Sequence, residues 1–259
     1  MKILFSLLLG VTAALPLLAQ PTKKDKKVEK KMRIAALIKQ EEEGVIAYRK
    51  HTIYGGKLTN DGYGAFLEIG RAQSIRTAIL YQLEITERKH PREEKAIDFL
   101  TGVSLFYGKR NFVYPVRLGA QYQYLLGNKS NKNGVSVSAN GGGGLSLALL
   151  RPYRLEIIDG TGTQRFVQYD SPDSILFLSG PYTRNPGISE GWSGLKVTPG
   201  AYGKLGLRFD YGRYNEMVSA IEVGVMAEFY SKKLQQMVYE KDKNLFLSAY
   251  VAIMFGRRK

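Results

Sequence analysis

The sequence predicts an all-β protein, an eight-stranded antiparallel up-and-down β-barrel that crosses a membrane. Three observations predict it. Apolar and polar residues alternate over eight segments, a period of two that is typical of strands with one apolar face. The first residues have the pattern of a secretion signal. The connections between the segments alternate mostly between short turns and longer loops, as in outer-membrane barrels.

Residues 1–19 form the predicted signal peptide, an apolar segment from Ile3 to Leu18 with cleavage expected after Ala19. A membrane anchor is the alternative, but the segment is short for a span of about 20 residues. No cysteine follows it, so a lipoprotein anchor is not expected.

Residues 20–44 follow as a basic periplasmic arm. Four apolar residues of this arm fall on one helical face: Val28, Met32, Ala35 and Ile38. The composition fits either a short amphipathic helix that docks on a partner or plugs the barrel, or a solvated, disordered tail.

The remaining chain, residues 45–257, is assigned to the barrel. The predicted strands cover residues 45–57, 62–71, 76–87, 111–125, 134–150, 198–211, 217–230 and 244–255. The alternation is clear in residues 217–230, where Ile221, Val223 and Val225 oppose Glu222 and Glu228. The first strand has an ambiguous register. Short turns follow the second, fourth and sixth strands, which predicts that both termini are periplasmic.

The polar faces of the strands carry charges that would have no partner in lipid, where one mid-bilayer charge costs several kcal/mol. These side chains are therefore expected to point into the lumen and to fill it with ion pairs. The predicted network contains Glu68, Glu84, Arg117, Lys204, Arg208, Asp210, Glu222 and Glu228. A soluble β-sandwich or lipocalin-like barrel, with the apolar face as its core, is the rival fold, since it alternates in the same way.

The longest segment without alternation is the predicted outer loop, residues 151–197, in which residues 155–158 and 164–168 are expected to form a hairpin. The net charge of +15 indicates an anionic neighbour. The secretion signal argues against nucleic acid and favours lipopolysaccharide phosphates or acidic glycans. The candidate phosphate contacts from the loops are Lys89, His90, Arg92, Arg151 and Arg154.

The sequence offers little for catalysis or for cofactors. It has no cysteine, which excludes disulfides, thiol chemistry and cysteine-ligated metal, and its two histidines, His51 and His90, lie on different elements. The glycine run at residues 141–144 precedes no helix and no Lys-Ser/Thr pair, so it predicts a bend in the barrel wall rather than a phosphate loop. No catalytic residue, metal or cofactor is predicted.

Several motifs resemble an uncharacterised family of Bacteroidota outer-membrane β-barrel proteins over about residues 52–258. The motifs are GGKLTNDGYGAFLEIGR, YQLEITERKHPREEK, LFYGKRNFVYPVRLG, LRPYRLEII, ISEGWSGLKVTPGAYGKLGLRFDYG, IEVGVMAEFYSKK and LFLSAYVAIMFGRR. The resemblance implies the same location and fold, and supplies no activity or catalytic residues.

Three function classes follow from these patterns. The favoured one is a non-enzymatic envelope protein: a scaffold, an adhesin or a subunit of a secretion or assembly complex. The alternatives are a lipid A-modifying enzyme, in which His51 would work with a nearby carboxylate or serine, and a narrow or gated pore. The expected partners are outer-membrane lipid or lipopolysaccharide and another envelope protein.

Overall fold

The computed structural model describes residues 28, 29, 31, 32, 35, 49–129, 134–170, 172–212 and 217–259. The predicted signal peptide and most of the predicted arm lie outside the described residues. Those residues of the arm that are described are helical and exposed. In the part of the chain that the structure describes, no helix is long and apolar enough to cross a membrane.

Strands dominate the described chain. In chain order they are β1 (Lys50–Thr59), β2 (Gly62–Ala72), β3 (Thr77–Arg88), β4 (Lys95–Ile97), β5 (Ser104–Phe106), β6 (Asn111–Gly127), β7 (Ser136–Pro152), β8 (Arg154–Ile158), β9 (Gln164–Gln168), β10 (Tyr182–Arg184), β11 (Lys196–Asp210), β12 (Met217–Leu234) and β13 (Lys243–Arg258). One short helix, α1 (Ser174–Ser179), lies between β9 and β10, and a 3-10 turn, Trp192–Gly194, precedes β11.

Eight of these strands form one closed antiparallel barrel, in the order β1-β13-β12-β11-β7-β6-β3-β2. The first and last strands close it: Leu58 of β1 lies opposite Tyr63 of β2 on one side and Val251 of β13 on the other. Closure pairs the edges that an open sheet would leave exposed. The predicted eight-stranded up-and-down barrel is thereby confirmed.

The barrel has apolar side chains outside and charged side chains inside. Along β12, Ile221, Val223 and Val225 are exposed, whereas Glu222 and Glu228 are buried in the lumen. A soluble barrel would bury its apolar face, because burial of apolar surface drives its folding. The opposite arrangement here is the one required when lipid surrounds the barrel.

The two ends of the barrel differ. Residues 73–76, 128–135 and 211–216 connect strands at one end, and residues 60–61, 89–110, 153–195 and 235–242 connect them at the other. The first strand, β1, begins at the first end of the barrel, and the last strand, β13, finishes there. At this end the backbone nitrogen atoms of Arg49 and Lys50 donate hydrogen bonds to the Lys259 carbonyl oxygen. We call the second end the cap end.

The connections at the cap end fold into a cap with its own apolar core. β10, β8 and β9 form a three-stranded sheet, β4 and β5 form a hairpin, and α1 packs with them. The buried core residues are Leu105, Phe112, Tyr153, Leu155, Ile157, Val167, Phe177 and Tyr182. The cap is therefore an ordered structure over the barrel mouth.

The structure changes some predicted boundaries. β1 ends at Thr59 rather than at residue 57, because Leu58 continues the pairing with both neighbouring strands. β12 continues to Leu234 on the cap side, beyond its predicted end at residue 230. The predicted hairpin in the long loop is present as β8 and β9, whereas the β4–β5 hairpin was not predicted.

The glycine run in β7 lies where neighbouring strands approach closely. A Cβ atom at Gly144 would lie 2.2 Å from the Leu118 carbonyl oxygen and 2.4 Å from the Gly119 Cα. At Gly203, which pairs with Gly143 on the next strand, the nearest atom would be 3.8 Å away. The run therefore permits a close backbone approach between neighbouring strands of the barrel wall.

We expect Gly144→Ala to destabilise the barrel by about 1–3 kcal/mol, because the backbone of β6 must shift to admit the methyl group. Gly203→Ala is the matched control and should be neutral or slightly stabilising. Urea unfolding in detergent micelles, followed by the gel shift between folded and unfolded barrel, measures both. Equal midpoints for the two variants would contradict the close approach.

Candidate functional site

The lumen contains two clusters of buried charges. In the cluster nearer the cap, Glu228 accepts a hydrogen bond from Arg117 Nε at 2.5 Å and another from Arg88 Nη2. Arg117 Nη1 donates to Glu84 at 2.6 Å, and Lys57 also donates to Glu84. These side chains are almost fully buried. Three cations and two carboxylates thus fill this level of the barrel, as side chains do in small barrels.

The second cluster lies nearer the end with the termini. Arg208 donates to both oxygens of Glu68 at 2.8 Å, the bidentate geometry that makes such pairs strong. Its Nε donates to Glu222 at 2.9 Å. Glu222 also accepts from Tyr250 Oη at 2.8 Å and from Lys204 at 3.4 Å. Each carboxylate is therefore held by more than one donor.

Tyr250 joins the two clusters. Lys57 Nζ lies 4.4 Å, and Lys204 Nζ 5.4 Å, from the centroid of its ring. Cations above an aromatic face are stabilised by its quadrupole. Charged and aromatic side chains therefore follow one another along the lumen. We call the two clusters together with Tyr250 the lumenal network.

The structure brings together seven of the eight predicted lumenal residues: Glu68, Glu84, Arg117, Lys204, Arg208, Glu222 and Glu228. Asp210 is apart from them at the barrel mouth, where Lys129 Nζ lies 3.2 Å and Arg258 Nη2 2.6 Å from its carboxylate. Sequence reasoning missed Lys57, Arg88 and Tyr250. Lys57 and Arg88 are in phase with the inward faces of β1 and β3, so period-two alternation carried to the true strand ends would have found them.

The candidate phosphate contacts have different environments. Lys89 and Arg92 are exposed at the cap end, with Arg92 paired to Glu240. Arg154 is partly exposed and donates to Gln168 at 3.3 Å.

The structure corrects the interpretation of Arg151 as a phosphate contact. Its guanidinium is buried and donates to the carbonyl oxygens of Gly187 at 2.8 Å and Glu190 at 2.6 Å. It also lies 4.4 Å from the ring centroid of Phe112. Arg151 therefore ties the cap to the barrel rim and is not available to an external phosphate.

The cap core contains two tyrosines whose hydroxyl groups are buried. Tyr153 Oη accepts a hydrogen bond from the Phe106 amide at 3.1 Å, and Tyr182 Oη donates to the Phe177 carbonyl at 2.8 Å. Burial raises the pKa of Tyr153 and of Tyr182 to about 12, because the phenolate is poorly solvated there. Deprotonation of either hydroxyl group therefore destabilises the folded cap.

We expect the cap to loosen between about pH 10 and pH 12. A raised pKa in the folded cap means that the stabilisation is complete below the ordinary tyrosine pKa and is lost as the pH rises through the folded value. Subtilisin digestion at about pH 8 and pH 11 should show faster cleavage of residues 153–195 at the higher pH. Tyr182→Phe should weaken this dependence. Cleavage that is equally slow at both pH values would contradict the role of the tyrosines.

The β4–β5 hairpin presents an apolar tip. Phe99 and Leu100 are fully exposed there. The turn below them is ordered, since Asp98 accepts hydrogen bonds from the Thr101 amide at 3.0 Å and its hydroxyl at 2.6 Å. Gly102 supplies the positive φ of 69° that the turn requires. The tip is therefore an exposed apolar surface on an ordered turn.

The two histidines lie at opposite ends of the barrel. His51 is the second residue of β1, at the end with the termini, and its Nε2 lies 3.6 Å from Glu68 Oε1. His90 follows β3 at the cap end. They cannot share one site. Within the described ranges, no group of three or more His, Cys, Asp or Glu side chains could hold a metal ion.

These features define the class of protein. A closed eight-stranded antiparallel barrel with an apolar exterior and a charged, filled interior has the architecture of the small outer-membrane barrels. No protein-family model matches the chain, and no curated protein shows a significant match.

Solved structures of the same class resemble the chain in fold. Neisserial surface protein A is 12% identical, with 82% of this chain and 96% of that chain covered and a TM-score of 0.37. Ail of Yersinia pestis is 9% identical, with 82% and 99% covered and a TM-score of 0.40. OprG of Pseudomonas aeruginosa is 10% identical, with 82% and 97% covered and a TM-score of 0.35. The strand pairing and the polarity of the barrel carry the assignment.

Proposed function

We propose that this chain is a non-enzymatic outer-membrane anchor that displays its folded cap outside the cell. The observation that carries this proposal is the cap itself, an ordered apolar core above a lumen filled by ion pairs. The barrel fixes the cap at the membrane surface, and the cap provides the contact. The proposal includes membership of the uncharacterised Bacteroidota barrel family, supported by the motifs between Thr52 and Arg258.

The proposed orientation places both termini and the arm in the periplasm. Outer-membrane barrels have short periplasmic turns and longer outer loops. Three connections at the cap end are long, and both ends of the barrel sheet lie at the other end. In this orientation His51 lies far from the outer leaflet, which weighs against a lipid A-modifying relay.

The filled lumen supports an anchor rather than a pore. Arg117, Arg208 and their carboxylate partners span the interior at two levels. Such pairs leave little room for water. Purified protein in planar lipid bilayers should therefore show no defined single-channel steps. Reproducible steps that disappear after proteolytic removal of the cap would overturn this part of the proposal.

The apolar hairpin tip supports a protein partner as the contact of the cap. Phe99 and Leu100 remain exposed to water in the folded chain. Their burial in an interface would remove apolar surface from water, which is favourable. Surface crosslinking on intact cells, followed by purification of the barrel, identifies a stoichiometric partner. Phe99→Ser with Leu100→Ser should abolish its recovery, whereas Ile175→Ser, an exposed apolar residue of α1, should retain it. Equal recovery with all variants would contradict a contact through the tip.

A second contact, with lipopolysaccharide phosphates, is supported by the exposed Lys89 and Arg92 at the cap end. Arg154 is the further cation on the cap surface. Their charges suit phosphate oxygens, and the long-range attraction of such a basic surface falls with salt.

A further inference from the structure

A cavity of about 240 Å³ lies beside the barrel mouth at the cap end. Its lining combines the β1–β2 turn, the residues that follow β3, and the β12–β13 connection. The volume is enough for several water-sized groups. It adjoins the lumenal charges through Arg88, which also pairs with Glu228, and its lining does not include the apolar hairpin tip.

Two buried hydrogen-bond donors of this lining have no partner among the described residues: Arg88 Nη1 and Gln236 Nε2. Arg88 is 3% and Gln236 7% exposed. A buried donor without a partner costs the desolvation of that group, which a bound acceptor would recover. Two such donors in one cavity indicate a shared acceptor.

The guanidinium of Arg88 is held in place by three contacts. Its Nε donates to Asp61 at 2.7 Å, its Nη2 donates to Glu228, and its guanidinium lies 4.3 Å from the ring centroid of Phe246. The remaining nitrogen atom, Nη1, has no hydrogen-bond partner among the described residues. A guanidinium fixed on three sides loses little freedom when it binds an anion.

The charges of the lining favour an anion. Four cationic side chains, Arg88, Lys89, Lys241 and Lys243, face three carboxylates, Asp61, Glu240 and Asp242. Arg92 neutralises Glu240 from outside the lining, and Arg88 engages Asp61. Lysines around two fixed donors suit the several oxygens of a phosphate group.

The position of the cavity indicates where the phosphate comes from. Leu245 and Leu247, two exposed outward residues at the start of β13, also line it. The cavity therefore adjoins the upper margin of the apolar belt, which is the level of lipid head groups when the cap faces outward.

We propose that this cavity binds a phosphate group through Arg88 Nη1 and Gln236 Nε2, and that an outer-leaflet glycolipid supplies it. The lipid source rests on the proposed orientation, whereas phosphate binding by solubilised protein does not. Failure of one is therefore distinguishable from failure of the other.

Titration of the folded protein in detergent micelles tests the site with three probes: bis-phosphorylated lipid A, dephosphorylated lipid A and inorganic phosphate. Gln236→Glu replaces one of the two cavity donors by a carboxylate, which repels phosphate. Loss of one charge-assisted hydrogen bond corresponds to about ten- to hundredfold weaker binding. Lys95→Gln, an exposed cation on β4 outside the cavity, should bind within about twofold of wild type.

Preference for phosphorylated lipid A, weakened by Gln236→Glu, supports the lipid source. Equal affinity for inorganic phosphate, weakened by the same variant, retains the phosphate site and rejects the lipid source. Wild-type affinity for every probe in Gln236→Glu, or equal binding of dephosphorylated lipid A, overturns the proposal. Gln236 makes none of the ion pairs that fill the lumen, so the variant is expected to retain the folded barrel. The gel shift of the folded barrel checks this directly.

Discussion

Arg208→Met is expected to destabilise the barrel by about 3–5 kcal/mol, the cost of leaving buried charges without their partner. The substitution removes the bidentate pair with Glu68 and one of the donors to Glu222. The ion-pair partner left to Glu68 among the described residues would be His51, at 3.6 Å. Urea unfolding in micelles, with the refolded fraction checked on gels, measures the change.

Arg184→Met is the matched control, because Arg184 also pairs with a carboxylate, Glu156, at 2.9 Å. Its side chain is largely exposed, and exposed pairs contribute only about 0–1 kcal/mol. The comparison isolates burial, since both variants lose an arginine from an ion pair. Equal small losses for the two variants would mean that water reaches Arg208 and that the lumen is not filled as described.

Val225→Arg is the second substitution with a large expected effect. Val225 is exposed on the outer face near the middle of β12. An arginine at the bilayer midplane of a barrel costs about 2–4 kcal/mol. Folding into lipid vesicles, measured as the equilibrium between urea-unfolded and inserted protein, should shift by this amount.

Val197→Arg provides the comparison, since Val197 is also exposed but lies at the cap end of β11. Near the interface the cost falls to about 0–1 kcal/mol. A depth-dependent difference between the two variants requires lipid around the barrel. If both arginines are tolerated equally, the outer face is in water and the barrel is not a membrane barrel.

The alternation of side chains made most of the barrel predictable. Strands such as β2 and β6 carry apolar residues at every second position, so their inward and outward faces follow from the sequence. Strand ends were less clear. Lys57 was assigned to a strand of uncertain register and Arg88 to a loop, because the residues next to them in sequence show no clear alternation. Both are lumenal in the structure.

The cap and its cavity could not be predicted in the same way. The apolar core of the cap joins Leu105 of one connection to Tyr153 and Phe177 of another, and no period links them. The cavity at the cap end likewise combines Arg88, at the end of β3, with Gln236 of the β12–β13 connection. Such contacts depend on long-range closure of the barrel, whereas sequence patterns report local structure.

The central feature of the molecule is a barrel with an apolar exterior in contact with lipid and a filled, charged interior. The chain has no cysteine, so single cysteines at successive positions of residues 217–230 can each carry a spin label without background. In vesicles, odd positions should be accessible to oxygen and even positions to neither oxygen nor a water-soluble nickel reagent, with a period of two along β12. Access of the nickel reagent to the odd positions at mid-strand, or no period at all, would contradict the account.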